Sequence, residues 1–325
     1  MFVPHSFGVA LLMTVLSTIC WGSFANTMKF TRNYRFELYY WDYAVGIVLI
    51  ALVLAHTMGS LGGPDSAVAN LHAGAWANVG WAFLAGFIFN IANALLIAGI
   101  ELVGLAVAYP ISIGIALVEG VVLSYAIQPK GSAALLGAGV ACALVAVVLI
   151  GKAYGQLQAG RTPSRKGVIV CVISGLLMGT WAPFVTRAMT AAHPLTPYNV
   201  AVFFTLGAFV NCFVFLIWLM KRPLAGAPIG FEGYRAAPAS YHLLGVAGGV
   251  IWGVGTVFNL VAASLVGVAI SYAIGQASPM VAALWGVFAW REFRGSPARA
   301  RLYLAGMFVA YVLALLLISR AYQAS

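Results

Sequence analysis

Charge is scarce in this sequence. Of 325 residues only 7 are Asp or Glu, and charged residues make up 7% of the chain. An ordinary globular domain has roughly a quarter of its residues charged. A surface so poor in charge excludes a water-soluble globular protein. Cysteine is sparse too: Cys20, Cys142, Cys171 and Cys212 all fall inside apolar runs, without metal-ligand spacing. That excludes a disulfide framework and reads them as small packing residues. No His-Glu-x-x-His pair, Gly-x-x-x-x-Gly-Lys loop or Gly-x-Ser-x-Gly elbow occurs, so those hydrolase and ATP-motor chemistries have no motif here. His5, His56, His72, His193 and His242 are scattered in loops or at helix ends. No enzyme activity, catalytic residue, metal or cofactor is expected. No basic residue precedes the first apolar run near Phe7, so the run reads as a retained helix and not as a cleaved leader.

What is abundant is apolar surface, with 63% of residues hydrophobic. Ten runs approach the ~20 residues needed to cross a bilayer. They lie near 7–27, 41–59, 77–99, 103–126, 132–151, 167–188, 198–219, 242–264, 266–288 and 302–320. Between them are short punctuating stretches such as Gly62-Gly63-Pro64-Asp65, Arg161-Thr162-Pro163-Ser164-Arg165-Lys166 and Lys221-Arg222-Pro223. The net charge of +10 does not point to nucleic acid, because the basic residues sit in short loops and not on one platform. Of the 17 Lys and Arg residues, all but Lys130, Arg187 and Arg320 follow helices 1, 3, 5, 7 or 9. The positive-inside rule makes that side cytoplasmic and puts both termini outside, in a plasma (inner) membrane.

A repeat runs through the chain. Leu102-Val103-Gly104-Leu105-Ala106-Val107-Ala108-Tyr109 lines up with Leu265-Val266-Gly267-Val268-Ala269-Ile270-Ser271-Tyr272, and at the same offset Gly86 meets Gly249 and Asn93 meets Thr256. Trp21-Gly22-Ser23-Phe24 echoes Trp181-Ala182-Pro183-Phe184. Each half then holds five helices, and an odd number forces the second half to enter from the opposite face. The expected fold is an all-α polytopic membrane protein of ten transmembrane helices as two inverted five-helix repeats. Residues 1–152 form the first repeat, 153–166 a cytoplasmic linker and 167–325 the second. Such repeats are characteristic of alternating-access carriers.

Most acids lie near the membrane surface, but Glu119 falls inside helix 4. An intramembrane carboxylate is costly and faces the bundle interior or water. Glu119 is the candidate proton-coupling residue. Helix 4 aligns Tyr109, Ser112, Ala116 and Glu119 on one face; helix 9 aligns Tyr272, Gln276 and Pro279. Helix 3 offers Asn90 and Asn93, helix 8 offers Trp252, Thr256 and Asn259, and helix 1 offers Trp21, Ser23 and Asn26. With Trp181, these mix aromatic walls with neutral hydrogen-bonding groups, which suits an uncharged polar solute. The competing reading is interhelical hydrogen bonding. Pro110, Pro183 and Pro279 are expected to kink or break their helices. Gly245, Gly249 and Gly253 form a small-residue ridge for tight packing. Arg35-Phe36-Glu37-Leu38-Tyr39-Tyr40-Trp41-Asp42-Tyr43, with Lys29, reads as an interfacial aromatic belt or as an inner gate closed by charge pairing.

Several stretches carry a family resemblance. Cys20-Trp21-Gly22-Ser23 with Asn26-Thr27, the Arg35–Tyr43 run, Gly86-Phe87-Ile88-Phe89-Asn90-Ile91-Ala92-Asn93, the Val107–Leu117 segment and Gln128-Pro129-Lys130-Gly131 resemble ureide permease-like proteins. These are the sugar and ureide branch of the drug/metabolite transporter superfamily. Rhamnose–proton symporters and glucose porters look like more distant relatives. The resemblance implies proton-coupled import by rocking of the two halves. The expected cargo is a small neutral polar solute: a sugar, or a purine-derived ureide, nucleobase or nucleoside. The substrate-binding candidates are Trp21, Asn26, Asn90, Asn93, Tyr109, Ser112, Trp181, Trp252, Thr256, Asn259, Tyr272 and Gln276. The alternative is a metabolite or drug exporter of the same fold. Expected partners are the solute, protons and the lipid bilayer, with the protein a monomer or homodimer.

Overall fold

The structure is a computed structural model that describes residues 1–32, 34–60, 66–73, 75–157 and 164–323. The Gly62–Asp65 turn and residues 158–163 of the expected linker, Arg161 among them, lie outside the described residues. Among the described residues, ten helices are long and apolar enough to span a membrane: α1 Phe7–Lys29, α2 Phe36–His56, α3 Ala75–Val103, α4 Leu105–Ile127, α5 Ala133–Leu157, α6 Arg165–Thr190, α7 Pro197–Lys221, α8 Ala239–Val266, α9 Val268–Ala289 and α10 Ala298–Gln323. No strand occurs among the described residues. The expected all-α, ten-span membrane fold is what is found.

The boundaries move where polar residues hide a helix from hydropathy. α2 starts five residues before the predicted 41, because Glu37, Tyr39, Tyr40 and Asp42 lower the hydropathy of its first turns although all four are buried. α5 continues to Leu157 and α6 starts at Arg165, so the connection is shorter than the predicted 153–166. Local chemistry fixes the ends. Ser164 caps α6, its Oγ accepting from Gly167 N at 3.1 Å. Thr196 caps α7, its Oγ1 accepting from Asn199 N at 3.2 Å, with Pro197 in the first turn, where its missing N–H costs nothing. α3 and α4 are joined by Gly104 alone, at φ 78°, and α8 and α9 by Gly267 alone, at φ 86°. Only glycine takes that conformation without strain, and these two glycines align with each other in the sequence repeat.

The spans pack in exchangeable pairs. α3 packs on α6 and α7, and α8 packs on α1 and α2. α4 lies against α6 and α5; α9 lies against α1 and α10. α5 and α10 pack on each other at the periphery. Two glycine crossings match each other. A Cβ on Gly249 would sit 2.1 Å from Tyr43 O of α2, and one on Gly46 2.3 Å from Val246 O of α8. In the other pair, a Cβ on Gly86 would sit 1.7 Å from Phe204 O, and one on Gly207 2.0 Å from Phe83 O. Bare backbones touch at both crossings, the role expected of the Gly249 ridge.

The proline positions behave differently from one another. Pro110 and Pro183 sit within continuous helix, whereas α9 breaks at Gln276–Ala277 and restarts with Pro279 in its first turn. α1 also breaks, at Phe24–Ala25. α7 and α9 each carry a π-helical stretch, Cys212–Leu216 and Trp285–Ala289.

Candidate functional site: a neutral cavity between six spans

Six aromatic rings meet at the centre of the bundle. Trp21 stacks on Trp252 with centroids 6.0 Å apart, and Trp252 on Phe89 at 5.1 Å. Trp181 meets Tyr272 edge-on at 5.2 Å and Phe204 at 5.4 Å. Against this cluster lies a cavity of about 140 Å³. Its walls come from α1 (Trp21, Phe24), α3 (Phe89, Asn93, Leu96), α4 (Tyr109, Ile113), α6 (Met178, Trp181), α8 (Trp252) and α9 (Gln276, Ser278, Pro279, Ala282). Leu96, Tyr109 and Ile113 set it toward the end where α3 meets α4, which is the basic face. A smaller lobe of about 50 Å³ continues past Tyr109, Pro279 and Ala282 to Tyr154 of α5.

Among the described residues, no charged side chain lines either space. Polar atoms come from Asn93, Gln276, Ser278 and the Tyr109 hydroxyl. Asn93 Nδ2 donates to Tyr40 OH at 3.2 Å, which leaves its carbonyl oxygen for the cavity. Trp21 Nε1 donates to Thr256 Oγ1 at 3.1 Å, which satisfies the indole's single polar atom within the wall. A chamber of this kind, apolar with a few placed polar groups, is built to orient a small neutral molecule.

A family model described as Ureide permease matches residues 39–160 and 166–320. The chain belongs to the ureide permease family. Two curated relatives of this family member are Ureide permease 1 and Ureide permease 2 of Arabidopsis thaliana. Each is 22% identical, the first over 97% of both chains and the second over 96% of both. A solved chain described as "Crystal structure of protein" superposes with a TM-score of 0.62 at 16% identity, covering 97% of this chain and 99% of that one. At that identity the likeness establishes the fold. Membership of a permease family points to a transporter and not to an enzyme.

In this permease family member the cavity gathers Trp21, Asn93, Tyr109, Trp181, Trp252 and Gln276 of the residues expected from sequence. The others hold helices together. Asn90 Nδ2 donates to Asn211 Oδ1 at 2.7 Å, Ser112 Oγ to Cys171 O at 2.8 Å, and Asn259 Nδ2 to Ser271 O at 2.9 Å. Tyr272 OH donates to Ala116 O at 3.1 Å, and Thr256 supports Trp21 from behind. Glu119 is outside the cavity lining, in the α4–α6 seam. Its Oε1 accepts from Thr180 Oγ1 at 3.1 Å, while its buried Oε2 has no partner.

Asn26 belongs to a latch at the basic face, where it accepts from Trp290 Nε1 at 2.6 Å. Beside it, Trp285 Nε1 donates to Ser23 Oγ at 2.8 Å, and Lys29 pairs with Glu292 at 2.5 Å. Tyr154 OH donates to the other Glu292 oxygen at 3.0 Å. Of the charges read as an aromatic belt or a paired inner gate, Arg35 does fork onto Glu37, whereas Asp42 accepts from Tyr234 OH at 2.6 Å and meets His242 Nδ1 at 2.8 Å, and Lys29 pairs outside the run. Burial and the nearby Asp42 push the Tyr34 hydroxyl up to about 12. Sequence reasoning missed Phe24, Phe89, Leu96, Ile113, Met178 and Ala282 in the lining, because apolar wall residues look like any other helix residue. Ser278 was legible only as the neighbour of Pro279.

Proposed function

We propose that this protein is a secondary active transporter that imports a small neutral polar solute, a purine-derived ureide or nucleobase, with protons. The observation that carries the reading is the uncharged cavity in the membrane core, walled by aromatic rings and fitted with neutral hydrogen-bonding groups. Its volume is close to the ~150 Å³ of a cavity that admits benzene, so a single small ring fits and a disaccharide does not. The curated relatives bear ureide permease names, which supports the same class of cargo.

Alternating access is supported by the exchangeable packing pairs, the matched glycine crossings and the two single-glycine joints. Swapping α1–α5 with α6–α10 maps the main packing pairs onto one another, as an inverted repeat requires. In this reading 1–152 and 167–325 are the two rocking halves. Closing toward the basic face uses the α1–α9 latch, and closing toward the other face uses the α4–α6 seam. Glu119, in that seam with one buried oxygen unpartnered, is the proton site. Protonation would supply that oxygen with a hydrogen and remove a charge from hydrocarbon.

The test is uptake into proteoliposomes of radiolabelled uracil and hydantoin, with and without an inward proton gradient. Wild type accumulates solute only with the gradient. Glu119→Gln exchanges solute across the membrane but no longer concentrates it. Proton-gradient-driven accumulation by Glu119→Gln at the wild-type level would remove the proton role of Glu119, and no uptake of any solute by folded wild type would remove the transporter reading.

A further inference from the structure

We infer that the groove between the ends of α9 and α10 at the basic face holds an anionic phospholipid, its phosphate among Arg291, Arg294 and Arg301 and an acyl chain against α10.

The groove has a volume of about 550 Å³ and shares no lining residue with the central cavity. Two elements set its mouth. Arg291 and Arg294 come from the turn after α9, and Arg301 stands in the first turn of α10. Below them the walls are apolar. Val287 comes from the π-helical stretch of α9, and Leu304, Ala305 and Phe308 from α10. Positions 301, 304, 305 and 308 recur at helical spacing, so they form one stripe down α10. From Arg301 to Phe308 that stripe is about 10 Å long, and it runs from the basic face into the span. Its neighbours Phe288 and Leu302 are 75% and 69% exposed. The groove therefore borders apolar surface that hydrocarbon covers.

Charge at the mouth is unbalanced. None of the three arginines pairs with an acid among the described residues. The one carboxylate in the turn, Glu292, is already held by Lys29 and Tyr154. The turn itself is fixed. Phe293 is buried and stacks against Tyr154 with centroids 5.3 Å apart, Glu292 N donates to Gly286 O at 2.8 Å, and Arg301 Nη1 donates to Ser296 O at 3.3 Å. Arg291 sits at φ 53°, an uncommon conformation for a residue with a side chain.

These observations select the occupant. Topology signalling asks only for basic residues near the end of a span. It does not ask that they converge from two elements over an apolar groove. A soluble anion would use the arginines and leave the stripe bare. A lipid of no net charge would use the stripe and leave the positive charge unanswered. An anionic phospholipid uses both: guanidinium groups fork onto phosphate oxygens, and each basic residue near an anionic headgroup adds to the attraction.

The experiment measures thermal stabilisation of the purified full-length protein in dodecyl maltoside micelles doped with phosphatidylglycerol or phosphatidylcholine, or supplemented with inorganic phosphate. Phosphatidylglycerol is expected to raise the melting temperature most. The triple variant Arg291→Gln/Arg294→Gln/Arg301→Gln should bind it on the order of 10- to 100-fold more weakly. Lys221→Gln/Arg222→Gln/Arg235→Gln removes the same charge elsewhere on the basic face and should keep the wild-type response. If the first triple variant does not fold, Arg291→Gln/Arg294→Gln, which spares the Ser296 contact, takes its place. Equal stabilisation by phosphatidylcholine, or an equal loss in the Lys221 variant, overturns the inference. So does inorganic phosphate that stabilises as well as phosphatidylglycerol, which would mark a site for a soluble anion.

Discussion

Replacing Gly86 with alanine tests whether the bundle depends on bare backbone contact. The added Cβ would lie 1.7 Å from Phe204 O, 2.6 Å from Phe204 C and 2.9 Å from Phe204 Cα. All three atoms are backbone of α7, so no side chain can swing away. Real Cβ contacts essentially never fall under 3.0 Å, so α3 and α7 must separate by at least the 1.3 Å between 1.7 and 3.0 Å. Overpacking of this sort costs about 1–3 kcal/mol, and a backbone-on-backbone clash belongs at the upper end. The gain in helix propensity returns about 1 kcal/mol, leaving a net loss of about 2 kcal/mol. Gly80 and Gly137 are the controls, since a Cβ there meets nothing within 4 Å. The assay is the melting temperature of each variant in one detergent, read by size-exclusion after heating. Gly86→Ala should melt several degrees below wild type, and Gly80→Ala and Gly137→Ala at or above it. Because α3 also carries Phe89, Asn93 and Leu96 into the cavity, solute affinity should fall with the same substitution. Gly86→Ala melting with wild type, while Gly80→Ala loses stability, would refute the argument.

Three further outcomes are expected. Asn90→Leu alone should destabilise by about 1–3 kcal/mol, because it strands Asn211 in the bundle; Asn90→Leu with Asn211→Leu should recover part of that loss, measured as a double-mutant cycle of melting temperatures. Trp21→Phe removes the donor to Thr256 Oγ1, so it should weaken solute binding several-fold, and adding Thr256→Val should cost little more. Lys29→Met should change stability by less than about 1 kcal/mol, because the pair is partly exposed. It should nonetheless speed thiol labelling of a cysteine placed at Ala282, which would report a loosened latch.

The spans were legible because hydropathy over ~20 residues is a strong signal. The start of α2 was not, since Glu37, Tyr39, Tyr40 and Asp42 lower hydropathy while burying their side chains. In the site, aromatic and amide residues near the centre could be picked out, but spacing alone could not say which way each turned. Asn93 and Asn90 are one helical turn apart, yet one faces the cavity and the other Asn211. Ser112 and Tyr109 diverge likewise, because α4 presents one edge to α6 and another to the open space. The break at Gln276 was legible only as a proline three residues on. The Lys29–Glu292 pair joins positions 263 residues apart, and no local pattern announces such a contact.

The single-glycine joints bear on how the chain is made. A connection one residue long, as at Gly104 and Gly267, brings no polar loop that must be dragged through hydrocarbon. Each flanking pair, α3 with α4 and α8 with α9, can therefore enter the bilayer as a closed hairpin whose only crossing burden is two backbone turns already hydrogen-bonded within their helices. Lengthening either joint with a few charged residues would leave the folded bundle's helices intact on paper. It would tax synthesis first, appearing as lost membrane insertion during translation before any defect in the finished protein.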